Sequence, residues 1–345
     1  MNESDPGVPR RTVLMTASLG LGAGLVSSLP AQTGAATPAA AAGGDIWSAE
    51  YWAHKGSVKL NLFRKRVGAP KPGDKPLPVL FLVHGSSNSA RSSYDLAVPG
   101  PVEYSAMNIM ARAGYDVWTM DHDGYGLSGS SGNNSDIASS VEDLKAAMPV
   151  VMKETGQTKA HFYGTSSGAI RAGAYAQAEP QHVDRLILAA FTYKGKGAAE
   201  IARRQKRIAE LRANNRRKRD AAMIRSIFTR DGLASAYDPA VADALVAAEM
   251  KFGDTIPSGT YLDMAANLPL VDPTKVTSPV LMIRGEHDGN STNEDLLDFF
   301  TQLPNGDRQF VILPKTAHSL GYSKNAHLLW YAVKNFLASP SPVGA

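Results

Sequence analysis

The chain has 345 residues, 43% hydrophobic and 20% charged, which excludes a disordered polymer and supplies enough apolar material for a large core. It contains no cysteine, so disulfides, thiolate metal sites and a cysteine nucleophile are excluded together. The net charge of +4 is a mild excess that does not by itself mark a nucleic-acid binder.

The first 43 residues read as separate from the fold. Arg10 and Arg11 precede an uncharged stretch from Thr12 to Leu29, and small residues follow through Gly43. A basic start, a moderately apolar middle and a small-residue zone are the layout of an export signal. Cleavage is expected after Ala31, Ala36 or Ala42. The arginine pair resembles the twin-arginine type of signal. The stretch is rich in Gly, Ala, Ser and Thr, too weakly apolar for stable membrane insertion. The expectation is an exported protein, periplasmic or extracellular.

Val58 to Arg66 alternates apolar and polar residues and predicts a half-buried strand. Prolines 70, 72 and 76 mark a turn-rich connection. Pro78 to Gly85 is a continuous apolar run closed by glycine, the pattern of a strand buried on both faces. Similar runs recur at 116–124, 160–166, 183–191, 279–288 and 308–314. Helical spacing fills 102–113, 137–155, 169–178, 293–302 and 326–337. Strands alternating with helices predict an α/β fold with a mostly parallel sheet covered on both faces. Residues 194–278 break the rhythm, with helical stretches and no strand-like run. The expected organisation is therefore a core of 44–193 and 279–345 interrupted by a helical cap insertion at 194–278.

The strongest chemical signal is Gly164-Thr165-Ser166-Ser167-Gly168, after one predicted strand and before a predicted helix. A serine in such a tight turn needs small neighbours, and the helix N-terminus favours developing negative charge. G-x-S-x-G is a weak signal in a chain with 31 glycines, but a strong one in this context.

With these residues the chain resembles the α/β-hydrolase superfamily, from about Val58 to Leu337. His84-Gly85 ends an early buried strand, as in the family's oxyanion loop. Asp121 to Ser128 matches D-x-x-G-x-G-x-S. Arg284 to Asp288 closes the strand that carries the family's acid, and Thr316-Ala317-His318 follows the last strand, where the family places its histidine. The chain order Ser, Asp, His agrees. The resemblance implies an α/β-hydrolase fold, with Ser166 as nucleophile, His318 as base and Asp288 as the acid that orients it. Glu286 is the alternative acid, two residues upstream. The oxyanion hole would be the backbone N–H groups of Ser86 and Ser167. The loop at 85–89 lacks the Gly-Gly-Gly run of some lipases and esterases. His84 would shape the oxyanion loop, and Asp121 and Asp123 would stabilise a loop rather than hold a metal. No metal or cofactor is expected.

Lys194 to Arg230 holds 13 Lys/Arg and 3 Asp/Glu, a net of +10, leaving −6 for the rest of the chain. The favoured reading is a solvated helix face, because Ile201, Ile208 and Leu211 recur at near-helical spacing. The rival reading is attraction of an anionic substrate. Nucleic acid is not an expected partner, since aromatic residues only flank the cluster. Met223, Phe228, Tyr237, Met250, Phe252, Tyr261 and Met264 are candidates for a pocket lining in the insertion.

The expected function is hydrolysis of a small-molecule carboxylic ester through an acyl-enzyme. Amide, lactone or carbon–carbon hydrolysis, acyl transfer and perhydrolysis are alternatives with the same three residues.

Overall fold

The computed structural model describes residues 44–340; the expected export signal lies outside them. The chain opens with strands β1 (Ile46–Lys55) and β2 (Val58–Val67), then β3 (Val79–Val83), helices α1 (Ala90–Tyr94) and α2 (Ala106–Arg112), and β4 (Asp116–Met120). Helix α3 (Ile137–Thr155), β5 (Ala160–Thr165), α4 (Ser167–Ala178) and β6 (Val183–Ala189) follow. The insertion carries α5 (Ala199–Gln205), α6 (Ile208–Ala213), β7 (Arg216–Lys218), α7 (Ala221–Ser226), α8 (Pro239–Glu249), β8 (Thr255–Pro257) and α9 (Gly259–Ala266). The core resumes with β9 (Val280–Gly285), α10 (Asn293–Thr301), β10 (Arg308–Leu313) and α11 (Ala326–Leu337).

Eight strands form one sheet in the order β1-β2-β4-β3-β5-β6-β9-β10. β2 runs antiparallel to both its neighbours, and every later pairing is parallel. This is the α/β-hydrolase fold. After β3 the chain turns to one side for β4 and then returns past it for β5, so β3 lies at a topological switch point. The loops leaving β3 and β5 therefore meet at the carboxyl edge of the sheet.

Alternation of side chains along the buried strands builds a core on each face. Phe81, Trp118, Phe162, Leu188 and Met282 share one cluster with residues of α3 and α4. Leu80, Leu82, Val117, Tyr163, Ile187 and Leu281 face the other, against α2 and α11. The predicted strands and long helices appear within a few residues of their expected positions.

Three features differ from expectation. β1 was not expected: Trp52 on its outward face and Lys55 on its inward face mask the alternation. The helix expected from residue 102 starts at Ala106, where the Ser105 hydroxyl caps it by accepting the Asn108 N–H. The insertion is not helical throughout. β7 and β8 pair as an antiparallel ribbon, each too short to display a period of two.

The insertion is tied to the core through a buried ion pair. Arg219 donates to the Glu249 carboxylate, to its carbonyl at 2.9 Å and to the Gly253 carbonyl at 3.0 Å. Glu249 in turn accepts the Ser89 N–H at 2.6 Å and the Ser89 hydroxyl at 2.7 Å, in the loop after β3. Arg219→Ala would strand a buried carboxylate and is expected to destabilise the protein by about 3–5 kcal/mol in urea unfolding.

The loop after β4 is organised by Asp121. Its carboxylate accepts the Ala90 N–H at 2.7 Å and the Leu127 N–H at 2.9 Å. A Cβ on Gly126 would lie 2.1 Å from that carboxylate, which is why glycine stands there, at φ +48°. Burial pushes the Asp121 carboxyl up to about 7, against the pull of the two N–H donors. Between the ordinary carboxylate range and pH ~7 the folded chain holds a proton that the unfolded chain releases. This site therefore lowers stability as pH rises through that window, and is flat above it. The stability advantage of the wild type over Asp121→Asn should narrow from about pH 4 to about pH 7 and then stay constant in thermal unfolding.

Candidate active site

The turn after β5 is set by contacts too close for any side chain. A Cβ on Gly164 would lie 2.2 Å from the Gly168 carbonyl oxygen, and one on Gly168 would lie 2.1 Å from that of Val83. Both glycines are therefore required for α4 to start directly against β3 and β5. Between them Ser166 adopts φ 58°, ψ −129°, a backbone conformation that costs free energy in any residue with a side chain. Its N–H is held by the Ala189 carbonyl at 2.9 Å.

His318 enters from the loop after β10. That loop packs against the end of β9, where a Cβ on Gly285 would lie 2.5 Å from the Ala317 carbonyl oxygen. His318 Nε2 lies 2.9 Å from Ser166 Oγ, and Nδ1 lies 2.8 Å from Asp288 Oδ1. Asp288 also accepts the Asn290 N–H at 2.8 Å. Burial pushes its carboxyl up, but the His318 contact, the Asn290 N–H and the nearby Arg284 charge outweigh this and hold it below the usual carboxylate range. An ionised acceptor fixes the proton on Nδ1 and leaves the Nε2 lone pair facing the serine hydroxyl.

Glu286 does not join this group. β9 ends at Gly285, so strand alternation stops before it reaches Asp288. Arg284 donates to the carbonyls of Glu286, Asp288 and Ser291 and folds the chain into a turn. That turn leaves Glu286 exposed, accepting the Lys315 N–H at 2.8 Å, and carries Asp288 inward.

Ser86 and Ser167 lie together, their hydroxyls 2.6 Å apart, and Thr260 of the insertion donates to Ser86 Oγ at 2.8 Å. Neither backbone N–H of this pair is taken up by a backbone carbonyl among the described residues. Gly85 permits this closeness, since a Cβ there would lie 3.3 Å from that of Ser166.

The loop after β3 is held by residues that the sequence reading missed. Arg171 of α4, fully buried, donates to the carbonyls of His84 at 2.8 Å and Gly85 at 3.3 Å, and to the Ser140 hydroxyl. His84 Nε2 accepts the His122 N–H at 3.1 Å, which places its proton on Nδ1 toward the Gly85 carbonyl. Burial, with the charge of Arg171, keeps this imidazole neutral by moving its pKa well below the ordinary value. His84 thus shapes the loop and faces away from base chemistry. Asp123 accepts the Ser131 N–H and pairs with Lys55 at 3.2 Å, a structural use. Asp231 of the insertion, also missed, accepts the His318 N–H at 3.0 Å.

Ser166 and His318 open into a cavity of about 80 Å³ lined by Tyr94, Tyr104, Tyr163, Leu320 and Trp330 of the core and by Ile227 and Arg230 of the insertion. The aromatic and methionine candidates of the insertion do not line it. Phe228 and Tyr237 pack on each other and on Tyr322, Met264 lies in the core, and Met250 is exposed. Met223 and Tyr261 line a separate cavity of the insertion.

Comparisons place this geometry among known proteins. The profile of the family described as serine aminopeptidase, S33, matches residues 75–324. No curated protein matches the chain. Among solved structures, a 2-hydroxy-6-oxo-6-phenylhexa-2,4-dienoate hydrolase from Rhodococcus is similar with a TM-score of 0.61 at 16% identity, covering 86% of this chain and 100% of that one. An enol-lactonase from Burkholderia xenovorans gives 0.58 at 15% identity, with 84% and 100% covered. A carboxylesterase from Bacillus subtilis gives 0.57 at 16% identity, with 84% and 92% covered. At such identities the likeness is one of fold. The profile match spans more than half of the sequence, and the chain belongs to the serine aminopeptidase S33 family of α/β-hydrolases.

Proposed function

We propose that the protein is a serine hydrolase that cleaves a carboxylic ester through an acyl-enzyme. The observation that carries this reading is the continuous line from Asp288 through His318 to Ser166, at 2.8 and 2.9 Å. Ser166 attacks the carbonyl as His318 takes its proton, and the ionised Asp288 stabilises the resulting imidazolium. The tetrahedral oxyanion is received by the N–H groups of Ser86 and Ser167, at the positive end of α4. His318 then protonates the departing alcohol, and a water activated by the same base releases the acid. The segment 194–278 acts as a cap, supplying Ile227 and Arg230 to the cavity.

The family description favours a second reading, hydrolysis of the amide after a free amino terminus. Such a substrate brings an ammonium group, which a carboxylate would have to receive. The cavity lining holds Arg230 and no carboxylate among the described residues, which favours the ester.

The test is a panel of p-nitrophenyl esters, acetate through decanoate, with leucine p-nitroanilide beside it. The small cavity is expected to favour acetate and butyrate over decanoate. Ser166→Ala should abolish turnover, and Asp288→Asn should lower kcat by about 10⁴-fold through the wrong imidazole tautomer. Glu286→Gln should change neither constant. Turnover of the anilide alone would replace the ester reading with the amide one, and equal turnover by wild type and Ser166→Ala would remove both.

The enzyme is further proposed to act outside the cytoplasm, a reading supported by Arg10, Arg11 and the stretch that follows them. Replacing both with lysine should retain the full-length chain inside expressing cells, as read by fractionation.

A further inference from the structure

The basic segment divides in the folded protein. Lys206 and Arg212 are exposed, as the solvated-face reading expects, but other arginines turn toward one another. Arg203, Arg204, Arg207, Arg217 and Arg230 line a second cavity of about 320 Å³, with Glu200 as the carboxylate in its wall. That volume lies in the range of small-molecule sites. Ser87, in the loop after β3, and Arg230 each line both this chamber and the cavity at Ser166.

The positive charges in this chamber are only partly answered. Glu200 pairs with Arg203 at 2.7 Å and with Arg204 at 3.2 Å, and the exposed Glu210 takes Arg207 at 2.6 Å. The side chains of Arg217 and Arg230 have no ion-pair or hydrogen-bond partner among the described residues, and the Nε of each is buried. Arg217 instead lies over the Tyr261 ring at 4.2 Å, and Arg204 lies over the same ring at 5.3 Å. The Tyr261 hydroxyl meets Ser87 Oγ at 2.7 Å. An aromatic platform thus holds two guanidiniums at the chamber wall and anchors them to the loop that would receive the oxyanion. Burial and the nearby charge of Arg230 push the Arg204 guanidinium below its ordinary pKa. A guanidinium with a buried, unpartnered Nε gains when anionic oxygens accept its N–H groups in pairs.

We propose that this chamber binds the anionic end of the substrate, a phosphate or carboxylate group, while the substrate's ester carbonyl lies at Ser166. The substrate part of the inference rests on the hydrolase reading above; anion binding by the chamber does not. The class that fits is an ester short enough on its acyl side for the small cavity and bearing at least one negative charge on the arm that extends past Arg230. Arg204 is buried and Arg217 and Arg230 are half-buried, while Arg203 and Arg207 are exposed, and the chamber's volume suits a small molecule.

Two measurements on the full chain separate the two claims. The first is calorimetric titration of the Ser166→Ala protein with inorganic phosphate and with succinate in physiological NaCl. Saturable binding of at least one is expected, weakened about tenfold by Arg217→Gln and by Arg203→Gln and unchanged by Lys206→Gln. The preferred anion identifies the group. The more exposed Arg203 keeps the test valid should the Arg217 variant fail to fold. The second is kcat/KM for 4-acetoxybenzoate, which carries its charge on the alcohol arm, relative to its neutral counterpart methyl 4-acetoxybenzoate, a ratio expected to exceed one in the wild type and to fall about tenfold in Arg217→Gln. No saturable binding of either anion, or equal weakening by Lys206→Gln, would overturn the chamber. Anion binding without turnover of any ester would keep the chamber and remove the ester reading; ester turnover without anion binding would do the reverse.

Discussion

The structure depends on how closely three backbones approach at the carboxyl edge of the sheet. Gly164, Gly168 and the Val83 carbonyl leave no room for a methyl group, and that closeness forces Ser166 into a conformation most residues avoid. The strain of one residue is small beside the two apolar clusters that fix β3, β5 and α4 on the faces of the sheet. It can therefore be carried locally, and what it achieves is placement. The hydroxyl is lifted clear of the sheet, the N-terminus of α4 lies beneath it, and the loop after β3 is drawn alongside.

That loop has almost no apolar residues to hold it, and polar groups do the work. Arg171 grips its carbonyls from α4, Asp121 holds the Ala90 N–H from the loop after β4, and Glu249 holds Ser89 from the insertion. Charges buried at this depth are a poor source of net stability, since losing hydration offsets much of what they gain. Each of these groups is spent on backbone N–H or C=O groups that would otherwise be free to rotate. The arrangement sacrifices some stability for a loop that cannot drift relative to Ser166.

Much of this was legible in the sequence, because the relevant signals are local. A glycine on each side of Ser166, a strand before it and a helix after it all follow from short-range sterics. The acid could be ordered only by resemblance: nothing local says that the chain turns sharply after Gly285, and Arg284, which folds that turn through three carbonyls, looks like an ordinary strand residue. The insertion was hardest to read. Its charges form one run in the sequence, yet Lys206 faces solvent while Arg204 and Arg219 are buried. What separates them is packing between α5, β7 and α9, brought together by contacts distant in the chain. Arg171 and Asp231 were missed for the same reason: each acts through a backbone group on another element.

Asp231 joins two parts of the site that lie on separate elements. Its carboxylate accepts the backbone N–H of His318, and the next residue toward the N-terminus, Arg230, lines both cavities. The residue that borders both cavities and the residue that holds the backbone of the imidazole are therefore consecutive in the chain. One short stretch of the insertion thus ties the wall of the cavities to the seat of the base.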